Sequence, residues 1–418
     1  MSNNNPNQPA VRPSASVLFG AAFLMATSAI GPGFLTQTSK FTAQYGAPLI
    51  MIILVAILMD VTAQMNIWSI IGVSGMRAQD IANKLLPGLG IFLAIIVAIG
   101  GLAFNVGNVG GVALGFNAMI GLPEKVGAVV AGCLGNMITQ GKIVLGIIIF
   151  LNKNAKTIMD KVATVLAAVI LITVLVVAVI SKPPMGEVGK GLVSFGEFPT
   201  MFVALTTLLG GSCGGYIPFS GAHRLVDAGV TGADNFRRSV TQGVLTSGIV
   251  RILLFLAVLG TCGLAAGNAA QIIDASNPAA EAFKLAAGDL GYRLFGLCLF
   301  SAGVSSVVGA AFTSVSFLKT LHPVIMKYEK WFVVGFIAFS TLMMVIVGNA
   351  AQLLIIAGAV NGLILPISLT CMLAASFSKK IVGDYKHPMW LTILGLIVIV
   401  ISAIVGIQAV PGIMKLFG

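Results

Sequence analysis

Two glycine clusters inside long apolar segments are the features of this sequence that could bind a ligand. The first is Gly31-Pro32-Gly33, and the second is the run 210–215, Gly-Gly-Ser-Cys-Gly-Gly, which is followed by Pro218. Proline lacks the backbone N–H that a helix interior needs, and glycine adopts non-helical conformations without steric penalty. We therefore expect a helix to be interrupted at each cluster.

An interrupted helix exposes unpaired backbone groups. The N–H groups at the start of one half-helix attract anions, and the C=O groups at the end of the other attract cations. Inside a bilayer, such backbone is tolerated only where protein or a water-filled cavity surrounds it. The alternative is that the glycines only allow helices to pack closely. Two clusters at equivalent positions along the chain favour a binding site.

The composition places the chain in a membrane. Apolar residues make up 57% and charged residues 9% of the 418 residues, and the mean hydropathy is +1.02. No ordinary soluble domain approaches these values. The net charge of +11 comes from Lys and Arg scattered over many loops, without a nucleic-acid-binding motif. The five cysteines lie singly in apolar runs, which predicts neither a disulfide framework nor a zinc site.

Hydropathy predicts an all-α polytopic membrane protein with eleven transmembrane helices after a polar, disordered tail at 1–14. Each apolar stretch is close to the roughly 20 residues that cross a bilayer. The first and sixth helices contain the glycine clusters and are expected to be discontinuous. The predicted spans are 15–45, 48–73, 90–121, 126–151, 156–181, 199–227, 242–266, 291–319, 331–347, 349–376 and 388–410.

The order of the two broken helices predicts a 5+5 inverted repeat. Helices 1 to 5 (15–181) would form one repeat, helices 6 to 10 (199–376) the second, and helix 11 (388–410) an addition. A unit with an odd number of spans inserts its second copy upside down. Discontinuous helices in corresponding positions point to a transport site near the membrane midplane.

Loop charges predict the orientation. Fifteen of the Lys and Arg expected outside the membrane lie on the side of the N-terminus and six on the opposite side. Positive residues are retained in cytoplasmic loops. We therefore expect a multi-pass protein of the cell membrane with a cytoplasmic N-terminus and an external C-terminus.

Three segments resemble the Nramp family of metal transporters, a branch of the amino acid-polyamine-organocation superfamily with the LeuT-type fold. The first span contains FGAAFLMATSAIGPGFLTQTSKFTAQYG, the third NVGNVGGVALGFNAMIGLP and the sixth GGSCGGYIPFSGAH. These match the regions that carry the Asp-Pro-Gly-Asn motif, an acidic third helix and the Met-Pro-His motif in the family. The resemblance covers about residues 16 to 376 and independently implies eleven helices and the LeuT-type fold.

The sequence departs from the Nramp pattern at its metal and proton groups. In the resemblance, the metal-binding Asp becomes Gly31, the neighbouring Asn becomes Phe34, and the metal-selecting Met becomes Gly214. The two His of the sixth helix become Tyr216 and Gly221. A site for manganese or iron needs carboxylate or amide oxygens and a soft sulfur. We therefore expect no resident metal site.

The acidic pair of the third helix becomes Asn105 and Asn108 in the same comparison. Asp60 lies within the second span, where an ionisable group is a functional candidate. It serves either as a structural ion-pair partner, for example with Lys142, or as a proton-coupling group. His223 is a candidate proton carrier, because its pKa is ordinarily near neutrality. Arg251 is interpreted as a side chain that extends to the cytoplasmic face.

These features predict a secondary active transporter and no enzyme activity. The expected cargo is a small carboxylate-bearing organic solute, an amino acid or a 5-oxoproline-like lactam, moved by alternating access with a co-transported proton or cation. The alternative is a divalent metal cation such as Mg²⁺ or Mn²⁺ at a weakly liganded site. No cofactor or nucleic acid is expected, and the partners are the solute and the lipid bilayer. The residues predicted to contact the solute are Gly31, Pro32, Gly33, Phe34, Thr36, Gly210, Gly211, Ser212, Cys213, Gly214, Gly215 and Tyr216.

Overall fold

The computed structural model describes residues 18–416 except 19, 21, 23, 24, 27, 28, 141–154 and 320. Its regular elements in these ranges are helices. The predicted tail at 1–14 and Lys142 lie outside the described residues. The helices are α1 Pro32–Tyr45, α2 Leu49–Ser74, α3 Ala78–Leu85, α4 Leu89–Ile120, α5 Glu124–Thr139, α6 Ala155–Ile180, α7 Met185–Gly191, α8 Phe202–Cys213, α9 Ile217–Asp227, α10 Ala233–Leu264, α11 Asn268–Asp274, α12 Pro278–Leu318, α13 Pro323–Lys327, α14 Glu329–Val347, α15 Ala350–Ala375, α16 Lys379–Val382 and α17 Met389–Met414.

Eight helices of the described residues are long and apolar enough to cross a membrane, or nine if the bent pair Ala168–Ile180 and Met185–Gly191 is one span. The all-helical membrane architecture is therefore confirmed, whereas the count of eleven and the inverted repeat remain predictions. The predicted first and fourth spans both extend into ranges that the structure does not describe. Outer helices expose apolar side chains, with Ile407 of α17 71% exposed, as a lipid-facing surface requires.

The helix α4 lies at the centre of the bundle. It packs most extensively against α12, and also contacts α15, α5 and α14. The half-helix α1 is surrounded by α10, α12, α15 and α8. The buried aliphatic and aromatic residues of these helices form two large clusters. The first break is thereby held within the protein and away from lipid.

Both predicted helix breaks are present, and each spans fewer residues than the sequence indicated. The first lies at Ile30 and Gly31, and α1 begins at Pro32, so that Gly33 is already helical. The second lies between α8 and α9, where Gly214 is extended and Gly215 has a φ of 56°. Gly210 and Gly211 remain helical, although the prediction placed the break near 210–215.

Close packing against α15 and α1 explains these helical glycines. A Cβ on Gly210 would overlap the carbonyl oxygen of Gly358, and one on Gly211 would overlap the side-chain amide of Gln37. A Cβ on Gly214 would come within 2.5 Å of the Asn361 carbonyl oxygen. Helix packing, which the sequence analysis treated as the weaker alternative for the second cluster, therefore accounts for much of its glycine content.

We predict that Gly210→Ala lowers the free energy of unfolding by about 1 to 3 kcal/mol, the usual effect of an overpacked core. The control is Gly309→Ala on α12, because a Cβ there meets nothing within 4 Å. Thermal unfolding followed by intrinsic fluorescence measures both variants. Equal unfolding temperatures for the two would show that α8 and α15 are not in close contact.

The segment before α17 is docked on α2 through His387. Nδ2 of Asn66 donates to the carbonyl oxygens of Thr62 and Leu391, which leaves its Oδ1 to accept from Nε2 of His387 at 2.8 Å. Nδ1 of His387 is then the acceptor for the hydroxyl of Tyr385 at 3.2 Å. This arrangement requires a neutral imidazole, and burial, assisted by the charge of Arg237, lowers the pKa of His387 to about 4.

We predict that the protein loses stability as the pH falls from 6.5 to about 4. In this window the unfolded chain binds a proton at His387 and the folded chain does not, so protonation favours unfolding. Unfolding temperatures measured across this range check the prediction. His387→Gln should flatten this part of the pH profile, and an unchanged slope in that variant would assign the loss to other groups.

Candidate functional site

The first break is lined by neutral polar side chains. Gly31 is extended, with φ −91° and ψ 177°, and α1 starts at the next residue. A Cβ placed on Gly31 would lie 3.0 Å from Oγ of Ser306 and 3.6 Å from Oδ1 of Asn108. These side chains come from α12 and α4. Neighbouring helices therefore fill the space in which a side chain at position 31 would lie.

Asn108 connects the first break to the second. Its side chain is within hydrogen-bonding reach of the hydroxyl of Tyr216, which follows Gly215 in the second break. The Tyr216 ring is buried and makes an edge contact with Phe104, with 5.9 Å between centroids. Two predicted binding residues, Gly31 and Tyr216, are thereby brought within reach of one α4 side chain.

Several buried polar atoms at the breaks have no hydrogen-bond partner within the described part of the chain. They are Oγ1 of Thr36, Oγ of Ser306 and Nδ2 of Asn108, the last of which lies near the Tyr216 hydroxyl without forming a hydrogen bond of good geometry. Buried polar groups are normally paired, so these atoms are available to a bound molecule. Together they offer hydroxyl and amide groups and no charge.

A buried acid lies on the other side of the second break. Asp60 of α2 accepts a hydrogen bond on Oδ1 from Nε2 of Gln64, one turn along the same helix. The side chains of Ser212 and Cys213, in the last turn of α8, are within hydrogen-bonding reach of the same carboxylate. Gln64 also donates to the carbonyl oxygen of Ser212 at 3.4 Å. The interaction expected between Asp60 and Lys142 involves a residue outside the described ranges.

Arg251 lies at the same place, and the prediction that it extends to the cytoplasmic face is wrong. It is 1% exposed in the middle of α10. Its Cζ lies 4.1 Å from the centroid of the Phe34 ring, and Nη1 donates to Oγ of Ser212 at 3.4 Å. The stacking surface of Phe34 and the Ser212 hydroxyl hold the guanidinium within the protein, so it cannot reach the membrane surface.

Two residues predicted for a polar pathway lie apart from this cluster. Asn105 points to α14, where its Nδ2 donates to Oγ of Ser340 at 3.1 Å. His223 of α9 accepts a hydrogen bond on Nε2 from the backbone N–H of Ala78, the first residue of α3. The structure thus gives His223 a contact at a helix start, and its proposed part in proton transfer stays a prediction.

Three contributing residues were not predicted as site residues. Ser306 lies in a long apolar span without any distinguishing motif, so its position depends on the tertiary fold. Gln64 could have been found, because it stands four residues after Asp60 and hence on the same helix face. Arg251 could have been found from its position well inside an apolar run. Within the described ranges, no three His, Cys, Asp or Glu side chains come together as a metal site would require.

Comparisons with known proteins identify the family of the chain. The Nramp family model, Natural resistance-associated macrophage protein-like, matches residues 22–410. The membrane protein YcsG of Bacillus subtilis is 47% identical, covering 94% of each chain. The divalent metal cation transporter MntH of Brucella suis is 21% identical, covering 94% of this chain and 87% of its own length.

Solved structures resemble the fold over almost the whole chain. A manganese transporter of Eremococcus coleocola, in a mutant form, superposes with a TM-score of 0.72 at 16% identity, covering 97% of this chain and 90% of the other. MhsT in complex with L-phenylalanine has a TM-score of 0.63 at 14% identity, covering 98% of each chain. These similarities support the LeuT-type fold. The chain is a membrane transporter and belongs to the Nramp family.

Proposed function

We propose that the protein is a secondary active carrier of a small carboxylate-bearing organic solute, such as an amino acid or a 5-oxoproline-like lactam. It works in the cell membrane by alternating access, with a co-transported proton or cation. The observation that carries this proposal is the neutral lining of the first break, where Ser306 and Asn108 surround Gly31.

The charge of this lining disfavours a divalent cation. A doubly charged ion in a low dielectric needs opposing carboxylates, and without them its burial is very unfavourable. Ser306 and Asn108 offer a hydroxyl and an amide, and the buried acid at the last turn of α8, Asp60, lies close to a buried arginine whose positive charge offsets it. A polar organic solute needs the hydroxyl and amide groups that remain unpaired here.

The start of α1 is suited to a carboxylate. Pro32 has no N–H, and the N–H groups of Gly33 and Phe34 belong to the first turn, where no intrahelical acceptor exists. The helix dipole adds partial positive charge at this end. The carboxylate of a solute at Gly31 would therefore meet free N–H groups, while Thr36 and Tyr216 supply hydroxyls to its other polar atoms. The amino acid L-phenylalanine bound by MhsT shows that a related fold accommodates such a molecule.

The alternative is a divalent metal cation transporter. It is favoured by the similarity of the chain to a divalent metal cation transporter and to a manganese transporter. A hydrated Mg²⁺ or Mn²⁺ keeps several of its waters and needs fewer direct ligands. In this alternative, the carbonyl oxygens at the end of α8 and the amide of Asn108 would contact the waters of the ion.

A panel of ligands separates the two functions. We expect at least one of 5-oxoproline, short organic acids and amino acids to raise the unfolding temperature of the purified protein, and the same compound to enter proteoliposomes. Mn²⁺ and Mg²⁺ should do neither. Stabilisation and uptake restricted to the metal ions would contradict the proposal and support the alternative.

Placing an aspartate at position 31, where the Nramp resemblance implies one, should reduce transport of the organic solute without giving transport of a metal ion. In Gly31→Asp, the new side chain enters space occupied by Ser306 and Asn108 and places a negative charge beside the solute carboxylate. We expect uptake of the organic solute to fall at least about tenfold, as a lost or opposed charge contact of about 1.4 kcal/mol implies, and Mn²⁺ uptake to remain absent. The matched control is Gly186→Asp on the exposed helix α7, where a Cβ meets nothing within 4 Å. Full solute uptake by Gly31→Asp would mean that the solute does not bind at the first break.

A further inference from the structure

We propose that Arg251 is the residue that binds the carboxylate of the transported solute, with Asp60 as its resident counter-charge. This inference rests on the proposed function and adds a specificity-determining side chain from α10. The observation behind it is a buried guanidinium with an unused edge, located where both broken helices meet.

The hydrogen bonding of Arg251 is incomplete. A guanidinium carries five N–H donors. Nη1 donates to Oγ of Ser212, whereas Nε and Nη2 are buried and have no partner in the described part of the protein. Nε and Nη2 form one edge of the planar group, and this edge binds both oxygens of a carboxylate in parallel. Buried N–H donors without an acceptor are unfavourable in a low dielectric. A carboxylate ligand would therefore be stabilised at the Nε–Nη2 edge of Arg251.

The position of Arg251 links it to both breaks. Its Cζ lies 4.1 Å from the ring centroid of Phe34, in the first turn of α1, in a cation–π contact. Its Nη1 holds Ser212 in the last turn of α8. In the resemblance to Nramp proteins, Phe34 replaces a metal-binding Asn. Phe34, which departs from the metal-binding motif of the family, therefore supplies the ring that orients the guanidinium.

Asp60 balances the charge without occupying the free edge. Ser212 lies between the two side chains: it accepts from Arg251 and is within reach of the Asp60 carboxylate. Gln64 and Cys213 complete the surroundings of that carboxylate. Among the ion pairs of the described residues, Asp234 with Arg237 and Glu329 with Lys319, none involves Arg251. The guanidinium is thus stabilised at a distance and remains open to a second carboxylate.

The test compares acids with their carboxamides, which differ only in the group that Arg251 would bind. Binding to the full-length protein is measured by calorimetry for 5-oxoproline and 5-oxoprolinamide, lactate and lactamide, and phenylalanine and phenylalaninamide. We expect the wild type to prefer the acid of at least one pair. Arg251→Gln should weaken binding of that acid by about 10- to 100-fold, the effect of losing a charge-assisted hydrogen bond, and leave the amide unchanged.

Three further variants guard against a purely structural effect. Arg238→Gln, at an exposed position on the same helix, should bind like the wild type. Arg251→Lys keeps the charge but loses the planar edge, and should lose most of the acid preference. If Arg251→Gln does not fold, the double variant Asp60→Asn with Arg251→Gln replaces it, because it leaves no unbalanced buried charge. The double variant should show no acid preference.

The outcomes distinguish this inference from the proposed function. If the wild type binds an acid and Arg251→Gln keeps the same preference over the amide, the role of Arg251 is wrong and the solute carrier stands. If the wild type binds acid and amide equally, Arg251 is again excluded. If the wild type binds no organic acid at all, the proposed function fails, and the role of Arg251 fails with it.

Discussion

A helix that is broken inside a bilayer is tolerated only where protein or a water-filled cavity surrounds its unpaired backbone groups, and this constraint organises the interior of the protein. Buried amides and an indole meet the breaks from adjacent helices. Gln64 donates to the carbonyl oxygen of Ser212 at the end of α8, and Trp68 donates to that of Pro218 at the start of α9. Gln37 of α1 donates to the carbonyl oxygen of Leu354 within α15, which ties the half-helix after the first break to that helix. The helices α2 and α15 are consequently held beside the broken helices by polar contacts as well as by apolar packing.

The same constraint explains why so many glycines lie near the second break. A buried amide can approach a helix backbone only if no Cβ intervenes, and Gln37 lies against both Gly211 and Gly358. The side-chain amide of Asn361 lies against Gly215 in the same way, and its backbone carbonyl lies against Gly214. Glycine therefore serves two purposes here: it permits the unwound geometry of residues 214 to 216, and it allows the α15 backbone to come close enough to support that geometry.

Much of this architecture could be predicted from the sequence, because hydropathy and helix-breaking residues are local signals. The membrane class, the discontinuity at Gly31-Pro32 and the second break were accessible in this way. The partners of the breaks were not. Ser306 and Arg251 stand far along the chain from Gly31 and Phe34, as Asn361 does from Gly215. Only the packing of α10, α12 and α15 around the two broken helices brings these residues together. Arg251 was misjudged because a positive side chain in a span usually extends to the membrane surface, whereas Phe34 and Ser212 retain it inside.

The electrostatics of the site follow from two neighbouring positions, 31 and 34, at which the side chains differ from those that the Nramp resemblance implies. Where the Nramp resemblance implies an acid, Gly31 contributes no charge, and where it implies an amide ligand, Phe34 supplies a ring that holds a guanidinium. With Asp60 nearby, the cluster is close to neutral, so a dipositive ion would find little compensation and a single carboxylate would find an unpaired donor edge. The interrupted backbone of the fold can hold either kind of cargo, since it presents N–H groups at one end and C=O groups at the other. Under the proposed function, the side chains beside it decide which end is used, and those of this protein favour the N–H end of α1.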